Sequence, residues 1–326
     1  MLKPFEEILP ALRAEMTSLE ELRVGLHKKA MNGWMFVGAA FLIGGGAAAA
    51  CLTQGGTAPA IVLAVVTLIT MGFIGYFQIS KPHTAYVAAF KDQFIRPIAH
   101  SVGEGFSYSP TGMIAQSTYS ASRIFTTSVD RYSGEDLLEG MIGRTNVRMS
   151  ELHTEYKTTS TDDKGNTKTD WHTIFKGLFI EADFHKHFQG RTFVRPDFAE
   201  RTLGFVGRAL QKVTIGDEKL VQLEDKDFEK AFVVHSTDQV ESRYILSTSM
   251  MRRMLDLKEK FKADVSFSFV DSSMFIAIAI KENLFEPTFG ASVLDEDYLR
   301  KYYVQINSCV GIVEDLGLNT RIWGKE

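Results

Sequence analysis

Two long runs of uncharged, mostly apolar residues lie close together near the N-terminus, and they constrain the fold more than any other feature of the sequence. The first covers residues 34–52 and the second covers residues 58–77. Each has about the 20 residues that a helix needs to cross roughly 30 Å of hydrocarbon. The connector Thr-Gln-Gly-Gly-Thr leaves room only for a tight turn. The pattern predicts a transmembrane helical hairpin over residues 34–77.

The positive charges around the two runs predict how the hairpin is oriented. Lysines and arginines flank the outer ends of the runs, and the connector has none: Arg23, Lys28, Lys29, Lys81, Lys91 and Arg96. Because Lys and Arg are retained on the cytoplasmic side, both termini are expected in the cytoplasm. The polar first 29 residues are unlike a cleavable signal peptide. We therefore expect a multi-pass membrane protein in contact with membrane lipid; in a bacterium that membrane would be the inner (cytoplasmic) one.

Small residues recur every four positions in the first run, at Ala40, Gly44 and Ala48. Such a stripe lets two helix backbones approach closely. It is consistent with packing inside the hairpin and also with an interface between copies of the chain, so both interpretations stay open.

The rest of the chain predicts an α+β fold. An amphipathic cytoplasmic helix is expected over residues 1–33 and a juxtamembrane helix over residues 78–104. Residues 105–326 are expected to form a soluble domain of antiparallel strands and helices, which could divide into two parts near residues 213–222. The turn-forming sequence Asp-Asp-Lys-Gly-Asn at 162–166 lies between two strand-like stretches and predicts a β-hairpin.

A helix is also predicted over residues 196–212, with an apolar side and the basic residues Arg201, Arg208 and Lys212. A basic amphipathic helix of this kind could lie on anionic lipid. An ordinary surface helix packed on a core has the same pattern.

Three potential metal ligands, Asp183, His185 and His187, occupy alternate positions. On a strand they would point to one side, and three such ligands could bind zinc. A solvated strand end is the alternative, because no fourth ligand lies nearby in the sequence. Further on, Asp238 and Glu241 have the spacing of a capping box at the start of a helix.

The sequence argues against several function classes. The formal net charge of −4, without a concentrated basic face, disfavours a nucleic-acid partner. Cys51 and Cys309 predict no disulfide framework. The sequence lacks the phosphate-binding, nucleophile-elbow and zinc-protease motifs. We predict no catalytic residue and no cofactor.

Several strings resemble the bacterial domain of unknown function (DUF) family 3137. They are Gly-Leu-Phe-Ile-Glu-Ala-Asp-Phe at 177–184, Val-Arg-Pro-Asp-Phe at 194–198, and the segments 223–234, 238–244, 266–273 and 284–287. The resemblance implies two N-terminal transmembrane helices before a soluble region. Members of the family often sit beside LemA-type membrane proteins in bacterial genomes, which makes such a protein one candidate partner. The resemblance brings no established activity.

Three functions are compatible with these features. The leading hypothesis is a non-enzymatic, membrane-anchored interaction or scaffold protein that binds its own copies or another membrane protein. The alternative is a lipid- or ligand-sensing module at the membrane. A hydrolase whose site is assembled from distant residues is the second alternative.

Overall fold

The computed structural model describes residues 4–53, 58–103, 105–161, 165–184, 186–197 and 217–318. Contacts between residues divide the chain into two compact units. The sheet unit contains residues 98–284 and, after a gap, the chain from residue 304 onward. The helical unit contains residues 4–97 and 285–303.

Two long helices form most of the helical unit: α1 spans Phe5–Thr53 and α2 spans Ala58–Phe90. A Cβ atom added at Gly44 would lie 2.5 Å from Leu68 Cγ, and one added at Gly75 would collide with Val37. The later residue of α1, Gly44, meets the earlier residue of α2, Leu68, and Val37 of α1 meets Gly75 of α2. The helices α1 and α2 are therefore antiparallel. The predicted helix 1–33 and the first apolar run belong to one continuous helix, since no proline interrupts the chain between residues 11 and 53.

One stretch of the described residues is long and apolar enough to cross a membrane, namely Glu15–Ala47 of α1. It meets this criterion by length and composition, and only 22% of the 18-residue apolar segment that meets it is buried. Large apolar side chains on its surface include Trp34, Phe41 and Ile43. The described residues therefore support one candidate membrane helix near the N-terminus, and the second predicted span, in α2, remains a prediction.

The predicted juxtamembrane helix 78–104 begins inside α2 rather than as a separate element. The chain continues through a π-helical turn at Lys91–Ile95 and a short helix α3 at Arg96–His100. Its predicted apolar face, which includes Phe90 and Phe94, is fully buried. The helical stretch therefore ends at His100, slightly before the predicted residue 104.

Residues 285–303 pack against α1 and α2 within the helical unit. Val293 donates its backbone N–H to Glu20 Oε2 over 3.0 Å, and Glu20 is paired with Arg23 at 2.7 Å. The Phe289 ring stacks on Tyr86 with the centroids 5.1 Å apart. These contacts hold a segment from the far end of the sequence against the N-terminal helices.

A single antiparallel sheet dominates the sheet unit. Its strands are β1 (Ser107–Ser109), β2 (Arg131–Ile142), β3 (Thr145–Thr161), β4 (Thr167–Asp183), β5 (Thr192–Pro196), β6 (Lys219–Val221), β7 (Phe232–Ser236), β8 (Val265–Val270) and β9 (Ser273–Ala279). Within the described residues their order is β1-β2-β3-β4-β9-β8-β5-β7-β6. The predicted β-hairpin around residues 162–166 is the β3–β4 pair, with Thr161 opposite Thr167.

The remaining helices within the described residues are α4 (Gln116–Ala121), α5 (Lys226–Ala231), α6 (Gln239–Ile245), α7 (Thr248–Phe261) and α8 (Glu296–Asp315). The boundary between the two units falls inside α8. The chain turns after α8 at Gly317, whose φ of +67° suits glycine.

Both faces of the central strands are buried. Successive side chains on a strand point to opposite faces, so Leu152 and Phe179 lie on one face and Glu151 and Leu178 on the other. The first face packs into an aromatic cluster with Tyr119. The opposite face buries Leu178 beside Glu151. A carboxylate thus lies in a mostly apolar layer.

Two predictions about residues 196–222 need correction. Pro196 is the last residue of β5 rather than the start of a helix, and residues 198–212, with Arg201, Arg208 and Lys212, lie outside the described residues. Strands β5 and β6 flank the predicted division near residues 213–222, yet both pair with β7 in one sheet. The boundaries between units fall instead at residues 97/98, 284/285 and 303/304.

Candidate functional site

The predicted metal ligands do not share a regular strand. Strand β4 ends at Asp183, and Phe184 donates its N–H to the Ser272 carbonyl over 2.9 Å. His187 Nδ1 lies 3.3 Å from Ser272 Oγ, and His185 is outside the described residues. The alternation on which the zinc hypothesis rested therefore stops at Asp183, and zinc binding stays a prediction.

The small-residue stripe is used inside the helical unit at the two positions whose side chains are described. Gly44 faces Leu68 of α2, and Ala40, one turn earlier on the same side, is buried. The side chain of Ala48 is not described. These contacts favour packing between α1 and α2, so Ala40 and Gly44 do not support an interface between copies of the chain.

The predicted capping box is half correct. Asp238 Oδ1 accepts hydrogen bonds from the backbone N–H groups of Val240 and Glu241, at 2.9 and 3.0 Å. The Glu241 carboxylate instead accepts from Gln189 N and Gly190 N, at 3.0 and 2.8 Å. The loop before β5 has free N–H groups that need acceptors, so Glu241 fixes this loop to α6.

Helix α6 and strand β6 expose three large apolar side chains, which we call the docking face: Leu220, Val240 and Tyr244. Their exposed fractions are 55%, 80% and 57%. Val240 and Tyr244 are four residues apart on α6 and so lie on one side of the helix. Gln239 Nε2 donates to the Leu220 carbonyl over 3.2 Å, which places β6 beside α6.

The docking face is held by ordered elements. Lys186 Nζ lies 4.6 Å from the centre of the Tyr244 ring and 3.4 Å from Glu241 Oε1, so the ring has a cationic neighbour that is itself anchored. Strand β6 ends the sheet within the described residues. The side-chain amide of Gln239 already donates to one backbone carbonyl of this strand, that of Leu220. This edge is therefore less open to the addition of another strand.

A second unusual group is a cluster of carboxylates at a β-bulge. Glu135 of β2 lies directly opposite Glu151 of β3, and the register shifts immediately after Glu135. The bulge puts Asp136 at a φ of +60° and buries its side chain, where it accepts a hydrogen bond from the Tyr108 hydroxyl. Bulges of this kind redirect a side chain, here from the solvent into the interior.

The carboxyl group of Glu151 titrates near neutral pH in this environment. The residue is 6% exposed and accepts a hydrogen bond of 2.7 Å from Leu284 N. The pKa of Glu151 rises to about 7, chiefly because the carboxyl group is buried. The Leu284 N–H lowers this pKa, and the charges of Asp136 and Glu135 raise it. Burial also raises the pKa of Cys309 to about 12, so that thiol is not a nucleophile at neutral pH.

Sequence reasoning missed both the docking face and the acidic bulge. The only available signals were the Glu135-Asp136 pair and Glu151 in neighbouring strand-like stretches. Nothing in either stretch specified the register that places Glu135 opposite Glu151. The docking face forms only when β6 lies beside α6. That contact depends on the position of β6 at the end of the sheet, which the local sequence does not specify.

Together the two units define an α+β protein with an antiparallel sheet and a candidate membrane helix near its N-terminus. Residues 173–318 match the model of a family described as "Protein of unknown function (DUF3137)". The resemblance read from the sequence strings is therefore confirmed over this part of the chain. The matched region includes the docking face but not Glu151.

No match was found among curated proteins. Among solved structures, the chain is similar to the crystal structure of the mycobacterial trehalose monomycolate transport factor A, TtfA. The two are 10% identical with a TM-score of 0.30, and the similarity covers 64% of this chain and 88% of that chain. At this TM-score the similarity says nothing about the function of the chain.

Proposed function

We propose that this chain is a membrane-anchored, non-enzymatic interaction protein whose sheet unit binds another protein through the docking face. The observation that carries the proposal is the exposure of Leu220, Val240 and Tyr244 together on ordered elements. Exposed apolar side chains that lie together with a polar rim are typical of protein interfaces, and Tyr is enriched among the residues that dominate binding energy. Lys186 and Gln239 supply the rim.

The partner we propose is a second copy of the chain or another membrane protein, such as a LemA-type protein. A two-dimensional membrane brings anchored proteins together at high effective concentration, so a small face is sufficient. Glu241 and its hydrogen bonds hold the loop behind α6 in place. Because the face is already ordered, binding it costs little conformational entropy.

The anchor is proposed to be the two-span hairpin, with both termini in the cytoplasm of a bacterial cell. The candidate span in α1 supports it. So do the exposed apolar side chains of α2, among them Ile69, Phe73 and Tyr76. In water this much exposed apolar surface would be strongly unfavourable, whereas lipid satisfies it.

The topology is tested by reporters that are active on one side of the membrane only. Alkaline phosphatase inserted at Gly55 is expected to be active, because the connector would lie in the periplasm. The same enzyme fused after Glu326 is expected to be inactive, and green fluorescent protein at that position is expected to fluoresce. Phosphatase activity at the C-terminus, or none at Gly55, would contradict the two-span orientation.

The docking face is tested by Val240→Glu in the full chain extracted in detergent. A charge at the centre of an apolar interface is expected to weaken association about tenfold, as for a residue worth 1–2 kcal/mol of binding energy. Light scattering during size-exclusion chromatography measures the mass of the complex. Cross-linking in intact membranes measures how much partner each variant still binds.

Val304→Glu is the matched control for this experiment. Val304 lies on α8 and is 52% exposed, so the same charge is introduced at another helical valine that is more than half exposed. We expect Val304→Glu to retain the wild-type mass and cross-links. The proposal fails if the wild-type protein is a strict monomer without a cross-linked partner, or if the two variants behave alike.

A further inference from the structure

A groove lies between α1 and α2 within the helical unit, next to the end of the second apolar run. Its volume is 620 Å³. The lining comes from both helices and is apolar at one end and cationic at the other: Phe73, Ile74, Phe77, Lys81 and Pro82 of α2, and Lys29 and Asn32 of α1. We call this space the inter-helix groove.

The two ends of the inter-helix groove differ in chemistry along the helix axis. Phe73 and Phe77 belong to the predicted membrane run, and Lys81 follows that run by one helical turn. At 1.5 Å per residue, Lys81 lies about 12 Å beyond Phe73 along α2. This is the direction from hydrocarbon towards the head-group layer, so the ammonium groups lie where lipid phosphates are found.

Two lysines from different helices converge on the cationic end. Both Lys29 and Lys81 are exposed, and Lys81 Nζ lies 5.7 Å from the centre of the Phe77 ring. The Lys81 side chain therefore extends over the aromatic lining and keeps its charge at the mouth of the groove. An occupant needs a negative head and an apolar tail to satisfy both ends.

We propose that the inter-helix groove binds an anionic phospholipid. Lys29 and Lys81 contact the phosphate, and one acyl chain lies along Phe73 and Phe77. Basic pockets between membrane helices on the cytoplasmic side recognise lipid head groups in this way. The inference rests on the proposed membrane anchor and goes beyond it, because an anchor alone requires no preference among lipids.

The test compares lipid retention by the full chain in native mass spectrometry from detergent. Phosphatidylglycerol and phosphatidylcholine are the two lipid probes, and inorganic phosphate is the third. The wild-type protein is expected to retain phosphatidylglycerol in preference. Each of Lys29→Gln and Lys81→Gln is expected to lower that retention about fivefold, the effect of one lysine near an anionic surface.

Lys28→Gln is the matched control. Lys28 is also exposed, lies beside Lys29 in sequence and is absent from the lining of the groove. The variant removes the same charge from the same flank, so it measures the general attraction of the surface. Phe77→Ala tests the apolar end and is expected to weaken retention while leaving the lysines in place.

The proposal is overturned if phosphatidylcholine is retained equally, if Lys28→Gln lowers retention as much as Lys29→Gln, or if inorganic phosphate competes at lipid concentrations. Circular dichroism confirms that each variant is folded before lipid is added. The reporter fusions test the anchor independently, so a correctly oriented anchor without lipid preference would refute the groove alone.

Discussion

Replacing Glu151 by Gln is expected to raise the free energy of unfolding at pH 8 by on the order of 3 kcal/mol, the value corresponding to its shifted pKa. The pKa rises from its usual 4.5 to about 7 in the folded protein, chiefly through burial. At pH 8 the folded wild-type protein must hold an ionised carboxylate in a buried layer. The Gln side chain removes that charge and still accepts the hydrogen bond from Leu284 N.

The sign of the pH dependence follows from proton binding. Between about pH 4.5 and 7 the folded state keeps a proton on Glu151 that the unfolded state has lost. Unfolding then releases a proton, so the stability of the wild-type protein falls as the pH rises through this window. Below pH 4.5 both states are protonated and the contribution vanishes. Above pH 7 the stability that the Glu151 proton contributes has been lost completely.

Thermal melting of the detergent-solubilised full chain, followed by circular dichroism of the sheet, provides the measurement. Wild-type protein and Glu151→Gln are expected to melt alike at pH 4 and to diverge by pH 8. Glu224→Gln, at an exposed carboxylate, controls for the removal of one negative charge. Parallel melting curves for wild type and Glu151→Gln across the whole range would show that Glu151 does not titrate near neutrality.

Replacing Gly177 by Ala is expected to destabilise the sheet unit by about 3 kcal/mol or more, the sum of backbone strain and overpacking. Gly177 has a φ of +147°, where alanine is strained. An added Cβ atom would collide with the backbone carbonyl of Ile278 on β9. Neighbouring strands cannot separate locally without breaking the hydrogen bonds between β4 and β9, so the clash has no inexpensive relief.

The melting temperature of the sheet unit is the measurement, and a fall of roughly 10 °C is expected for a unit of this size. Gly165→Ala is the control. Gly165 also has a positive φ, +81°, but its added Cβ meets no atom within 4 Å. It should therefore show only the modest cost of backbone strain. Equal losses in the two variants would mean that the contact with β9 is unimportant.

Glu151 and Gly177 show which features a local sequence pattern predicts and which it does not. Both lie in stretches that the sequence identifies as strands, and the β3–β4 hairpin was predictable because its turn and flanking residues are adjacent. Their roles arise from β2 and β9, which come from elsewhere in the chain. Strand register between distant segments is set by the packing of both sheet faces at once, and no single segment encodes it.

The sequence itself determined several local features. These are the apolar runs near the N-terminus, the β3–β4 hairpin, the cap at Asp238 and the end of α8 at Gly317. Each depends on residues within a few positions of one another, so side-chain periodicity and backbone preference are sufficient. The candidate membrane helix in α1 belongs to this group.

Only the tertiary structure decided which groups those elements bring together. It directed Glu241 to the loop before β5 instead of to its own helix, and it assigned Gly44 to a contact with α2. It also assembled the docking face from β6 and α6, and the inter-helix groove from Lys29 and Lys81. These arrangements join residues far apart in the chain, and they form because burying apolar surface and pairing backbone groups outweigh any local preference.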